Sequence, residues 1–226
     1  MRFQKKMNRF AVIVFPGSNC DHDAYHVLKS IDNTSVDFIW HKETNLENYD
    51  SIIVPGGFSY GDYLRAGAIA RFSPIMRTVI EESKKGKKII GICNGFQILI
   101  ECGLLPGSLL NNINIKFLSK TVSLEVINNK TSFTHLIDSD EILSMPIAHR
   151  QGNYFANEDL IKELEDNDQV AFKYRDNNPN GSVSSIAGIL NSEKNVLGMM
   201  PHPERASEGL LGSNDGYKIF QSIVES

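Results

Sequence analysis

The sequence predicts an α/β protein: an open, mostly parallel, twisted sheet flanked by helices, with a small antiparallel annex. Three observations lead to this. Short, continuously apolar runs end at Pro-Gly or Pro-Gly-Gly, the signature of strands buried on both faces. Helical patterns alternate with these runs as far as Pro106, a β-then-α rhythm that suits a doubly wound sheet. Beyond Pro106 the rhythm changes to strand-like runs separated by Asn, Asp and Gly turns.

The first strand covers residues 10–15 and stops at Pro16-Gly17. Asp21 is placed to cap a helix over 22–31, with Ala24, Val27, Leu28 and Ile31 as its inward stripe. Strands follow at 36–40 and 51–54, the latter ended by Pro55-Gly56-Gly57. Residues 66–83 are mostly helical in pattern, with a start at Ser73-Pro74 because proline suits a first helical turn. Residues 88–92 read as a buried strand and 95–102 as a helix ended by Gly103. Later strands are expected at 121–127, 147–149, 169–174, 185–190 and 196–199, with helices at 160–164 and 212–224. No linker composition or internal repeat divides the chain, so one domain over residues 1–226 is expected.

Composition excludes several function classes. The 226 residues are 41% hydrophobic and 22% charged with a net charge of −4, an ordinary globular balance. Basic residues form only the pair Lys5 and Lys6 and the short run Lys84, Lys85, Lys87 and Lys88, a poor footprint for nucleic acid. No stretch approaches the roughly 20 apolar residues of a membrane helix, and the basic N-terminus lacks a signal-peptide pattern. Cys20, Cys93 and Cys102 form no Cys-x-x-Cys, so neither a zinc site nor a disulfide scaffold is indicated. A reducing, cytoplasmic setting is the expectation, and it leaves a reactive thiol free.

Cys93 lies in Gly91-Ile92-Cys93-Asn94-Gly95, the G-x-C-x-G spacing of a nucleophile elbow between a strand and a helix. A turn that pushes a thiol out of a sheet is crowded, and side chains at the two glycines would collide with their neighbours. The helix start directs free N–H groups and partial positive charge at the sulfur, favouring its thiolate. Most cysteines among apolar residues are inert packing, and this is the expected role of Cys102. Cys20 is expected in a polar, exposed loop without access to a base.

A cysteine acting on an amide needs a base. His202 follows the apolar run 196–200 and stands between Pro201 and Pro203, which hold the imidazole at the carboxyl edge of the sheet. Glu204 can accept a hydrogen bond from the ring and set its tautomer. His149, at the end of another apolar run, either lines a cleft or makes one structural hydrogen bond. The loop Pro55-Gly56-Gly57-Phe58-Ser59-Tyr60-Gly61-Asp62 is neither a Walker A loop nor GxGxxG. Its Gly57 N–H, with that of Asn94, would form an oxyanion hole.

Together with Phe15-Pro16-Gly17-Ser18-Asn19-Cys20-Asp21, Gly57-Phe58-Ser59-Tyr60-Gly61-Asp62-Tyr63-Leu64-Arg65 and Gly198-Met199-Met200-Pro201-His202-Pro203-Glu204-Arg205, these segments resemble the class I (triad) glutamine amidotransferases over nearly the whole chain. Within that class they look most like the glutaminase subunits of phosphoribosylformylglycinamidine synthases. The resemblance implies a flavodoxin-like fold in which Cys93 forms a γ-glutamyl thioester, His202 is the base and Glu204 orients it. It implies that Gln97, His149, Asn153 and Tyr154 lie near bound L-glutamine. It implies no cofactor in this chain and two partners, a large synthetase subunit using ATP and magnesium and a small third subunit. Where the family usually has Gly-Glu-Gly after His149, this chain has Arg150-Gln151-Gly152, a departure bearing on the cleft or a partner contact. The alternative readings are a cysteine protease or other amidase of the same fold, or a non-catalytic scaffold subunit.

Overall fold

Residues 7–226 are described by a computed structural model; the Lys5 and Lys6 pair lies outside them. Strand β1 (Asn8–Val14) is buried through its centre and leads, through a turn at Pro16-Gly17, to helix α1 (Asp21–Ser30). Asp21 does not cap α1 as expected: Cys20 holds the cap position, without a side-chain bond, and Asp21 is the first helical residue. Its carboxylate is used nearby instead, accepting from the Ser18 hydroxyl and the His22 N–H. Strands β2 (Thr34–Trp40) and β3 (Ser51–Val54) follow, then a short 3-10 turn and helix α2 (Pro74–Lys84), which starts at proline. Strand β4 (Lys88–Ile92) and helix α3 (Asn94–Glu101) enclose Cys93.

The later part contains β5 (Ser108–Leu110), β6 (Leu118–Val126), β7 (Ile142–His149), β8 (Asn153–Phe155), α4 (Glu158–Asp166), β9 (Val170–Tyr174), β10 (Ile186–Leu190), β11 (Val196–Met199) and α5 (Tyr217–Glu225). The pair β5 and β8 was not expected, being only three residues each with exposed ends. Strand β7 begins five residues before the expected start because Pro146 interrupts the strand signal. It is tolerated there since β7 is an edge strand whose other side has no ladder to supply. The closing helix begins at Tyr217 rather than 212, where Gly212 at φ 107° sits in a left-handed turn.

A nine-stranded sheet runs β2-β1-β3-β4-β11-β10-β9-β6-β7, and β5 pairs antiparallel with β8 as the small annex. The remaining late strands extend the main sheet. Pairing is parallel from β2 to β11 and antiparallel at every step beyond, so β9 and β7 regain the common direction. The carboxyl ends of β1, β3, β4, β11 and β7 therefore face one edge. On a flat sheet β7 would stand about 19 Å from β11, four strand spacings away. Yet the His202 N–H donates to the Pro146 carbonyl at 2.9 Å, so the antiparallel half curls back over that edge. Among the described residues no helix is long and apolar enough to cross a membrane.

Candidate active site

Strand β4 delivers Cys93 in a conformation that L residues avoid, φ 51° and ψ −103°, with its N–H tied to the Met199 carbonyl at 2.8 Å. The flanking glycines are required by contact. A Cβ on Gly95 would lie 1.8 Å from the Val54 carbonyl oxygen, and one on Gly91 would lie 2.8 Å from the Gly95 backbone. Asn94 opens α3, so its N–H has no partner within the helix. Gly57, at φ 133°, sits against the backbone of Ser18 and Asn19, where a Cβ would be 2.6 Å from Asn19 N. Its N–H donates to no group among the described residues, and it lines the same cleft as Cys93.

His202 and Glu204 are both buried, and Nδ1 lies 2.6 Å from the carboxylate Oε1. The carboxylate can only accept, so Nδ1 carries the proton and Nε2 is left as the base. Nε2 makes no hydrogen bond of normal geometry, although the sulfurs of Cys93 and Cys20 lie close enough to act on the ring. Burial opposes a charged ring, but the Glu204 carboxylate and then the two sulfurs outweigh it and hold His202 well above its ordinary value. The pair is positioned by two prolines and by the Ala187 and Pro146 carbonyls, which accept from Met200 and His202 N–H.

Cys20 is not the exposed loop residue expected. It is buried, and its sulfur, a ring nitrogen of His202 and a Glu204 oxygen all lie within 4.8 Å of one another. Three such ligand types suit a metal ion, but Arg205 Nη2 stands 3.1 Å from the sulfur and puts a cation there already. Arg205 is fixed in turn by Asp23, at 3.0 Å from Nε, rather than by Glu204. Burial raises the Cys20 thiol.

A cleft of about 380 Å³ opens onto Cys93 between the loop following β3 and the loop following β7. Gln97 and His149 line it, as do Asp62, Arg65, Arg150 and Gln151. Gln97 has both ends occupied, accepting from Asn94 Nδ2 at 2.9 Å and donating to the Gln151 carbonyl at 2.6 Å. His149 does what both expectations allowed. It lines the cleft, and Nδ1 donates to Asn112 Oδ1 at 3.0 Å, since the Asn112 amide nitrogen is committed to two carbonyls. Burial, then the charge of His202, pushes His149 down to about 4, leaving it neutral with a buried, unpartnered Nε2. Gln151 Oε1 accepts from Ala66 N–H at 3.0 Å, so this side chain ties the two walls together.

Asn153 and Tyr154 do not line this cleft. Both lie in β8, and Tyr154 is buried against Phe96 with its hydroxyl on the Pro106 carbonyl. The alternation of β8, which pairs with β5, directs Tyr154 into the core. Sequence reasoning missed Asn112 and Asp62. Nothing marks Asn112 among neighbouring asparagines, whereas Asp62 ends the glycine-rich loop and an acid there was visible.

Residues 7–219 match the model of the CobB/CobQ-like glutamine amidotransferase domain. A solved structure of PurLQS from Thermotoga maritima contains a chain 47% identical, aligned over 97% of this chain and 98% of that one, with a TM-score of 0.89. A putative GMP synthase component from Thermoplasma acidophilum is 16% identical over 97% and 93% of the two chains, at a TM-score of 0.66. A glutamine amidotransferase from Thermotoga maritima is 19% identical over 88% and 76%, at 0.57. These last two share the fold.

Proposed function

This chain belongs to the family of CobB/CobQ-like glutamine amidotransferase domains, and from that premise we propose that it is the glutaminase subunit of a phosphoribosylformylglycinamidine synthase. The observation that carries the catalytic reading is the buried His202–Glu204 pair set against the strained Cys93 elbow at the floor of a cleft. The identity to a chain of PurLQS, over nearly the full length of both, supports the place given to it in such a complex.

In this reading the Cys93 sulfur attacks the side-chain amide carbon of L-glutamine, and charge collects on the amide oxygen beside the N–H groups of Gly57 and Asn94. The His202 imidazolium gives its Nε2 proton to the nitrogen as the C–N bond breaks, releasing ammonia and leaving a γ-glutamyl thioester. His202 then takes a proton from water, whose oxygen replaces sulfur at the acyl carbon and yields glutamate. Glu204 keeps the ring oriented throughout.

Ammonia passes to a large synthetase subunit, which uses ATP and magnesium to convert formylglycinamide ribonucleotide to its amidine, helped by a small third subunit. Phe58, Leu64 and Phe117 line the cleft while exposed, Leu64 almost fully, which supports a partner covering its mouth. The cytoplasm is the compartment this reading requires. Substituting Cys93→Ala should abolish glutamine-dependent amidation in the complex while synthesis from added ammonium continues. Glutamine use that survives the substitution overturns the proposal. A glutamine-analogue electrophile should label Cys93, as detected by mass spectrometry; a scaffold subunit would remain unlabelled.

A further inference from the structure

The segment after the Gly56-Gly57 turn is the most strained stretch near the cleft. Tyr60, Asp62 and Leu64 all have left-handed backbones, at φ 56°, 53° and 70°. Non-glycine residues hold such angles only where their surroundings over-determine them, and such clusters gather at functional sites. The anchors are visible. Tyr60 N–H donates to the Pro16 carbonyl, and its hydroxyl lies 2.8 Å from His41 Nδ1 and 3.0 Å from Ser73 Oγ. Buried Asn94 grips the segment twice, with Oδ1 accepting from Ser59 N–H at 3.0 Å and Nδ2 donating to Asp62 Oδ1 at 3.2 Å.

The outcome of this strain is a carboxylate held half-buried in the wall of the Cys93 cleft. Its hydrogen bond comes from a neutral amide, and among the described residues it has no cationic partner. Arg65, three residues on, is committed to Glu101 through bonds of 2.6 and 2.7 Å. Burial accordingly raises the Asp62 carboxyl to about 6, against the smaller opposing effect of Asn94. A desolvated carboxylate of this kind suits a cation supplied by a ligand. Asn94 links it to the reaction centre: its backbone N–H adjoins Cys93, and its side chain orients Asp62.

We propose that Asp62 receives the α-ammonium group of the substrate and thereby restricts the site to free L-glutamine, excluding glutamine within a peptide. The inference rests on the glutaminase reading. Four bonds separate the side-chain amide carbon of glutamine from its α-nitrogen, so a substrate bound at Cys93 carries its cation along the cleft wall. A peptide-linked glutamine offers there a neutral N–H and leaves the carboxylate without its charge partner.

The test uses full-length Cys93→Ala protein, which binds without turnover, and calorimetric titration with L-glutamine, with glutaramate (the same molecule lacking the α-ammonium) and with N-acetyl-L-glutamine. L-Glutamine should bind about 10- to 100-fold more tightly than either analogue, the range of one charged hydrogen bond. In Cys93→Ala/Asp62→Asn the preference should collapse to about one, with circular dichroism unchanged. Cys93→Ala/Asp166→Asn, which removes a carboxylate paired with Lys162 on α4 and outside the cleft, should keep the preference. An equal preference with and without the Asp62 carboxylate overturns the proposal, as does glutaramate binding as tightly as glutamine to Cys93→Ala. If Cys93→Ala binds none of the three ligands and the parent chain is not labelled at Cys93, the glutaminase reading itself fails.

Discussion

Replacing Gly95 by alanine is the most direct test of how the elbow is built. The added Cβ would sit 1.8 Å from the Val54 carbonyl oxygen, whereas real contacts are essentially never under 3.0 Å, so the end of β3 and the start of α3 must part by about 1.2 Å. Neither side is a flexible side chain. Val54 leads through Pro55-Gly56 into Gly57, and Gly95 follows Cys93 and Asn94, so the gap moves the nucleophile away from the facing N–H. A misplacement of about 1 Å can cost a reaction about 100-fold. Overpacking typically costs about 1–3 kcal/mol, which for a chain of this size lowers Tm by roughly 2–12 °C. The assay is glutamine hydrolysis by the complex alongside thermal unfolding, with ammonium-dependent synthesis as the internal control. Gly103→Ala supplies a comparison, because a Cβ there meets nothing within 4 Å and its cost arises from φ 71° alone. A Gly95→Ala enzyme with undiminished kcat/KM would refute the reasoning.

Glu204→Gln keeps the size of the partner of His202 and removes its charge; kcat with glutamine should fall about 10²- to 10⁴-fold with ammonium-dependent synthesis preserved, and a loss of only a few-fold refutes the orienting role. His149, held near 4 in the fold against an ordinary 6.5, makes the unfolded chain take up a proton first as pH falls, so stability should drop by about 3 kcal/mol between pH 6.5 and 4. Urea midpoints across that window should show a shallower slope for His149→Gln, and parallel curves would count against it. Asp62 acts with the opposite sign: its carboxyl, raised from 3.8 to about 6, contributes stability below pH 3.8 that is lost as pH rises through 6. Asp62→Asn should therefore raise Tm at pH 7, with an upper bound of about 3 kcal/mol, and an unchanged or lower Tm contradicts this.

The elements that local pattern decides were legible in the sequence. Buried runs ending at Pro-Gly located β1 and β3, a buried run leading into Cys93-Asn94-Gly95 located β4, and Ser73-Pro74 located the start of α2. The elbow was legible from its Gly-x-Cys-x-Gly spacing, although the contact that forbids a side chain at Gly95 comes from Val54 in β3, which only the fold brings near. Elements decided by their partners were not. The sequence pattern shortens β7 because Pro146 is acceptable only at a sheet edge, and being an edge is a property of the whole sheet. The resemblance places Tyr154 near the substrate, whereas the pairing of β8 with β5 turns it inward.

Sequence by itself determined the chemistry available: a thiol in a crowded strand-to-helix turn, an imidazole between two prolines, and a carboxylate two residues beyond it. Tertiary structure alone decided what surrounds them. The curl of the antiparallel half brings the end of β7 onto the His202 loop, while the loops at the carboxyl edge of the parallel strands bring Cys20 beside Arg205 and hang Asp62 from Asn94. The reason is physical. Backbone conformation and helix or strand periodicity depend on residues close in sequence, whereas burial, charge pairing and unfilled hydrogen bonds depend on groups that meet only after a twisted sheet has closed.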